Sequence, residues 1–448
     1  MDCFIGLDIG TSAVKGAVLS ESGKILHLES EKFTYFGENG KRLLDPDEYC
    51  EICFSVIKKL ADFVKDEYKV AAICSCCASG NLLLLDKTNK PLTPIIGWQT
   101  HVDHSVFDGI LADDYISSVY ETAGWPLGNG MTPAWLCAIK KQHPDILEKA
   151  QAVVMSAEYM NFKLTGKWGL AHSMATPFFL VDQAKGEYNI VMLEKLGITD
   201  KFLPPIYSKG TVLGKVKPEL AEKLHISSDT QVVLGSFDPP SGALGSGVFD
   251  EGEMLLSCGT SWVEFFPVPS REFAVSTKGL VDRYMIGSSP YCVMKSLASV
   301  SVKIDRIRKL YFGNITHQEF DVLLKQSKPG CDGLRFTLEE TDTFAKGNYS
   351  DGQIARAIIE SAALQLKENL ENLKKCGLRA EKITAIGGIT NSDECVKVIS
   401  KTLGSEIKVV NGQSAGAVGS CLLAGIGVGT FENEKAAFAK MKVANEIL

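Results

Sequence analysis

The sequence predicts a mixed α/β chain made of two similar halves, and three observations carry that expectation. Its 448 residues exceed what one ordinary core accommodates and suit two or three domains. Each half opens on an apolar strand, a Gly-Thr turn and a second strand: "FIGLDIGTSAVKGAVL" at 4–19 and "GEMLLSCGTSWVEFFPV" at 252–268. Between and after these hairpins, strand-like and helix-like patterns alternate, as they do in α/β chains.

The elements follow in order. Phe4 to Leu7 and Val14 to Leu19 read as strands around a turn at Asp8 to Ser12, and "KILHLES" alternates as a third strand. "DPDEYCEICFSVIKKLADFVKDE" (45–67) offers Asp45 as an N-cap, with Ile52, Val56, Leu60, Phe63 and Val64 on one helical face. "YKVAAICSCCA" and "NLLLLD" read as buried strands, and "PAWLCAIKKQHPDILEKA" (133–150) as a helical stretch. "QVVLGSFDPPSGALGSGV" (231–248) is again a strand delivering an Asp into small residues. The last third predicts a long helix at 351–377, a strand at 382–388, a helix at 392–404, a short strand and a small-residue helix at 415–429. The pattern breaks at "SGVFDEGE", so the domains are expected to be 1–248 and 249–448.

Composition excludes several classes. Apolar residues make up 45% and charged residues 23%, the balance of a folded globular chain. A net charge of −7 and a pI near 5.7 disfavour nucleic acid as the main partner. The opening residues lack the regions of a signal peptide, and the longest small-and-apolar run is shorter than the ~20 residues of a membrane span. Thirteen cysteines, an odd number, fit free thiols in a reducing cytoplasm. "CSCC" at 74–77 reads as a buried strand, because no second pair completes a metal-ligand set. His101, Asp103 and His104 form either a polar or metal-binding set or an ordinary exposed loop.

The candidate chemistry sits on the two Gly-Thr turns. Backbone N–H groups and hydroxyls in such turns can hold phosphate oxygens, since glycine lets the backbone approach closely. "DIGTS" at 8–12, with Lys15 nearby, and "CGTS" at 258–261 are the candidate phosphate cradles. Neither a P-loop nor a G-x-G-x-x-G fingerprint occurs. Asp8 suits Mg²⁺, which prefers hard carboxylate oxygens and water. Asp238 suits either a general base for phosphoryl transfer or the N-cap of a helix beginning at its prolines. The glycines of "AIGGITNSDECVKVIS" (385–400) would let an adenosine lie on backbone, or serve an ordinary strand-to-helix turn.

Taken together, "DIGTSAVKGAVL", "GSFDPPSGALGSG", "LLSCGTSW" and "AIGGITNS…AGAVGSCLLAG" resemble, in this order, the FGGY family of carbohydrate kinases within the actin-like ATPase superfamily. "EYMNFKLTG" (158–166) followed by "FLVDQAKGEYN" adds to the likeness, which spans nearly the whole chain. The resemblance implies two ribonuclease-H-like domains with an interdomain catalytic cleft, the first binding a sugar and the second ATP. It implies a cytoplasmic ATP- and Mg²⁺-dependent kinase acting on a small ketose, polyol or sugar acid, with a homodimer as the expected assembly. By the same likeness Asp8, Thr11 and Ser12 fall in the first phosphate and Mg²⁺ motif, with Lys15 beside it. Gly259 and Thr260 fall in the second phosphate motif, Asp238 at the catalytic base, and Gly387, Gly388 and Asn391 in the adenosine loop.

The sequence departs from the family on the sugar side. Ala78, Ser79 and Gly80 stand where ketopentose kinases often carry Gln-Met-His. Of a W-x-D-x-R motif only Trp98 remains, with Thr100 and Val102 in place of the acid and arginine. Thr132 replaces a lysine, and "TLEETDTF" stands near the place of a G-E-R-x-P stretch. Ser79 and Trp98 are therefore the candidate acceptor contacts, Trp98 either stacking on a sugar or serving the core. The retained Asp238 favours a kinase; the altered sugar motifs keep open a nucleotide-binding regulatory or scaffolding relative without sugar kinase activity.

Overall fold

The computed structural model describes residues 1–37, 41–78, 80–199, 202–285, 290–338, 347–410 and 414–446. Ser79 and most of "TLEETDTF" lie outside the described residues. Two compact units form: Met1–Gly247 with Leu280–Met285 and Ser414–Leu448, and Val248–Gly279 with Ile286–Gln413.

In the first unit, β1 (Asp2–Ile9), β2 (Ala13–Ser20) and β3 (Ile25–Lys32) make the expected antiparallel meander. Parallel β4 (Lys69–Cys77) lies on the other side of β1, followed by β6 (Gln231–Val233) and the edge strand β5 (Val212–Lys215). Cys3, Phe4, Ile5, Leu7 and Ile9 of β1 are all buried, so the strand is covered on both faces. One cover is the Pro46–Val64 helix, whose first turn is closed by Asp45 Oδ1 accepting from Asp47 N at 3.0 Å and Glu48 N at 2.9 Å. Its buried face is Cys53, Val56, Ile57, Leu60 and Val64. Phe63 instead points outward and stacks on His27, with ring centroids 4.0 Å apart, which corrects the predicted face.

The other cover is the small-residue helix Ala415–Gly427. A Cβ at Gly6 of β1 would fall 2.0 Å from Ala417 O, and one at Gly419 would fall 2.0 Å from Ser241 O. Glycine at those two positions lets three backbones meet at contact distance. Ser420 Oγ then donates to Leu7 O at 3.1 Å and Cys421 Sγ to Phe4 O at 3.4 Å. This packing is why the expected 1–248 and 249–448 partition differs from the observed units: Ser414–Leu448 joins the first. Leu280–Met285 joins it too, where Trp125 Nε1 donates to Val281 O at 3.0 Å.

The stretch expected as one helix over 133–150 is two, Thr132–Gln142 and Pro144–Lys149. Pro144 is the reason: the residue before proline is driven out of the helical region, and His143 has φ −142° and ψ 57°.

The second unit repeats the plan of the first. β7 (Gly252–Cys258), β8 (Trp262–Val268) and β9 (Tyr291–Leu297) form an antiparallel meander. Parallel β10 (Ala380–Gly387) and β11 (Ile407–Val409) extend it beyond β7. The Asp351–Lys375 helix opens on a capping box of Ser350 and Gln353. The Asp393–Leu403 helix opens on Ser392, which accepts from Cys395 N at 3.0 Å. The echo between the two hairpins in sequence is thus an echo of strand order.

Candidate active site

Asp8 is the penultimate residue of β1. Its register neighbours are Lys15 on β2 and Cys76 on β4, whose thiol donates to Asp8 Oδ1 at 3.7 Å. A Cβ at Gly416 would fall 2.8 Å from Asp8 Cγ, so the carboxylate lies against the first turn of the Ala415–Gly427 helix. That end of a helix favours negative charge. Burial raises the Asp8 pKa, with the Lys15 charge and the Cys76 thiol pulling the other way.

Asp238 is the first residue of the Asp238–Ser246 helix. Phe237 is the N-cap and no side chain caps this end, so the N-cap reading of Asp238 does not describe it. Its Oδ1 is buried and accepts no hydrogen bond. Burial first, and then the Asp8 charge, push its pKa well above the ordinary carboxylate value. Cys76 lies among the two acids, Ser241 and Ser420, all of which act on its thiol. The Ser241 hydroxyl donates to Gly416 O at 2.9 Å, which fixes the helix start against the acids.

A pocket in the same unit is lined by Thr11, Tyr35, Arg42, Asn81, Trp98 and Gln99, among others. It adjoins Asp238 through Cys77, which lines the pocket, bridges to Phe237, and has its thiol pKa raised partly by the Asp238 charge. Tyr35 donates its hydroxyl to Thr11 O, and the Arg42 guanidinium lies 5.5 Å from the Tyr35 ring centroid. Asn81 holds the wall: its Oδ1 accepts from Ser156 N at 2.7 Å and its Nδ2 donates to Ser156 Oγ at 3.0 Å. Gln99 Oε1 is buried without a partner.

Thr100, standing where the family motif has an acid, is buried behind the pocket-lining Arg42. Its Oγ1 accepts from Arg42 N at 3.0 Å, and its carbonyl accepts from Trp135 Nε1 at 2.8 Å. Of the two predicted acceptor contacts, Trp98 lines this pocket. Ser12 lies on the turn beside it, its carbonyl accepting from Phe33 N at 3.1 Å. Asp103 caps a short turn, and His104 meets Asn129 and Asp113. Among the described residues no three His, Cys, Asp or Glu side chains form a metal-ligating group.

In the second unit, Gly259 and Thr260 form the exposed turn between β7 and β8. Cys258 and Gly387 are register partners across β7 and β10, so the turn and the Gly387–Gly388 corner stand side by side. Gly387 has φ 100°, and a Cβ there would meet Cys258 O at 2.3 Å. At Gly388 a Cβ would meet nothing within 4 Å, and Asn391 is exposed at the end of the same turn. Ser301 ties the corner down: its Oγ donates to Gly259 O at 2.6 Å and its N to Thr260 O at 3.2 Å. Sequence reading misses Ser301, Cys76, Gly416 and Asn81, because each acts on a partner far away in the chain.

Residues 3–245 match the FGGY family of carbohydrate kinases, N-terminal domain, and residues 328–428 its C-terminal domain. The chain is similar to a xylulose kinase of Staphylococcus epidermidis, 24% identical over 96% of this chain and 88% of that one. In structure it is similar to ligand-bound xylulose kinase from Lactobacillus acidophilus, with a TM-score of 0.88, 21% identity, and coverage of 100% and 96% of the two chains. Gluconate kinase from the same organism has a TM-score of 0.85 at 21% identity, with the same coverage.

Proposed function

We propose, from a chain that belongs to the FGGY family of carbohydrate kinases, that Asp238 is the general base that activates a hydroxyl of a small carbohydrate toward Mg-ATP. Family membership makes the protein a sugar kinase that uses ATP; the residue roles are our reading. The observation that carries it is the buried, unpartnered Oδ1 of Asp238, one residue from Phe237, which bridges to the pocket-lining Cys77. A desolvated carboxylate with a raised pKa is a stronger base than one in water.

In the reaction, the acceptor oxygen attacks the γ-phosphorus while Asp238 takes its proton. The bond to the bridging oxygen of ADP breaks, and ADP leaves with that electron pair. We assign the acceptor to the pocket that Cys77 and Trp98 line, with Trp98 and Ser79 as its candidate contacts. We assign Thr11, Ser12 and Lys15 of the first unit and Gly259 and Thr260 of the second to phosphate binding. Gly387, Gly388 and Asn391 hold the adenosine. The Asp8 carboxylate, held against the first turn of the Ala415–Gly427 helix, is a hard oxygen donor of the kind that Mg²⁺ takes, and Asp8 would be its ligand. When bound, the ion supplies charge neutralisation on the phosphates.

The test is ADP release across a panel of ketoses, polyols and aldonates, followed by Asp238→Asn. We expect the variant to lose about 100-fold or more in kcat while nucleotide affinity stays near normal. Near-normal turnover by the variant would sink the base assignment. No ADP release by the native chain across the panel would favour the nucleotide-binding relative instead.

A further inference from the structure

Asp282 is fully buried in the first unit, on a segment that the sequence places beyond the second hairpin. Its carboxylate accepts from Ser173 Oγ at 2.7 Å, from Thr176 Oγ1 at 2.7 Å and from Arg283 N at 2.8 Å. The two hydroxyls have one proton each, and both protons point at Asp282. Their lone pairs are thereby directed elsewhere: Thr176 Oγ1 accepts from Gln183 Nε2 at 3.0 Å, and Ser173 Oγ from Phe237 N at 3.1 Å.

Phe237 is the residue that aims Asp238. It is the uncapped entry of the helix that begins at Asp238; the neighbouring Ser236 hydroxyl holds its carbonyl at 3.2 Å, and its N–H goes to Ser173. The same buried segment holds Phe237 a second way. Trp125 donates to Val281 O and sets its ring against that of Phe237, with centroids 5.6 Å apart at 69°. Backbone and ring of Phe237 are both tied to residues 281–282.

We infer that Asp282 is a positioning residue for the Asp238 carboxylate, acting through the Ser173 hydroxyl and the Phe237 backbone. This rests on the reading of Asp238 as the base. A fully buried carboxylate carries a large desolvation cost, which three hydrogen bonds offset. An apolar side chain would fill the same space without that cost, so stability alone does not account for an acid here. Directing a hydroxyl proton away from Phe237 N–H does account for it. A displacement of about 1 Å at a reacting group can cost about 100-fold in rate, so a tether of this kind acts on turnover.

The experiment uses the full chain and the variants Ser173→Ala, Asp282→Asn and Thr176→Val. It reads hydrogen exchange at the Phe237 amide, the melting midpoint, and ADP release with D-xylulose and D-gluconate as acceptors. Ser173→Ala is expected to speed exchange at Phe237 and to lower kcat by about tenfold or more, with KM for ATP within about twofold. Asp282→Asn keeps the shape but can accept on one oxygen only, and is expected to do the same. Thr176→Val removes a bond of equal length from the same carboxylate but none from Phe237, so its kcat loss should be clearly smaller for a similar fall in melting midpoint. Losses in kcat that track melting across all three variants would overturn the inference, as would unchanged exchange at Phe237 in Ser173→Ala and Asp282→Asn. An active native chain with an unaffected Ser173→Ala sinks the inference alone. A native chain inactive with every acceptor of the wider panel sinks the functional reading and the inference with it.

Discussion

Cys76 donates its thiol hydrogen to Oδ1 of Asp8 across 3.7 Å, from the position directly beside it in the sheet. A thiol is a weak donor, and this one is buried among two acids and two serines. Cys76→Ser supplies a stronger donor of nearly the same shape and is expected to keep most activity. Cys76→Val leaves Asp8 without that donor and should lower kcat by about threefold to tenfold. Melting midpoints and steady-state rates of the two variants check this; a Val variant as active as the native chain would show that the bond is idle.

Gly416 sets how near the helix start comes to Asp8. With Cβ placed 2.8 Å from Asp8 Cγ, Gly416→Ala must push the carboxylate or the helix aside. The helix has little room to give, since Gly419 and Gly6 hold it at backbone contact on two other sides. The expected result is at least about a tenfold loss in kcat, with the Mg²⁺ concentration for half-maximal rate raised. Unchanged magnesium dependence would argue against Asp8 as the metal ligand.

Asp8 and Asp238 are legible in the sequence because each is a lone acid carried by an apolar strand into small residues, a pattern that depends on neighbours only. The hairpin that opens the second unit is legible for the same reason, since it echoes the first. What the sequence withholds depends on packing. The choice between N-cap and free acid at Asp238 turns on Phe237 taking the cap position. The return of Ser414–Leu448 to the first unit turns on glycines meeting carbonyl oxygens from distant segments. Phe63 fits the helical period yet stacks on His27 at the surface, because periodicity gives a face and not its edges.

The Gly387–Gly388 pair separates a structural glycine from a binding one. Gly387→Ala combines a positive φ with a Cβ 2.3 Å from Cys258 O, and should destabilise the second unit by about 2 kcal/mol or more. Gly388→Ala meets open space and should leave melting near native. If adenosine lies on this corner, the Gly388 variant raises KM for ATP by about fivefold or more with kcat little changed. Differential scanning calorimetry with ATP titration distinguishes the two, and an unaffected KM would remove Gly388 from the nucleotide site.

Glu264 supplies a pH dependence that belongs to the second unit and not to catalysis. It is fully buried on β8, and burial pushes its pKa up to about 8, offset in part by the Asn369 amide and the Lys295 charge. The folded value lies above the ordinary 4.5, so folding favours the protonated form. Its contribution is fully present at low pH and is lost as pH rises from about 4.5 through about 8, where the buried group must ionise. Glu264→Gln removes the ionisation while keeping the shape. The variant is expected to melt close to native at about pH 5 and several degrees above native at about pH 9, with its curve of melting point against pH flattened between them. Parallel curves for variant and native protein would show that Glu264 is not the titrating group.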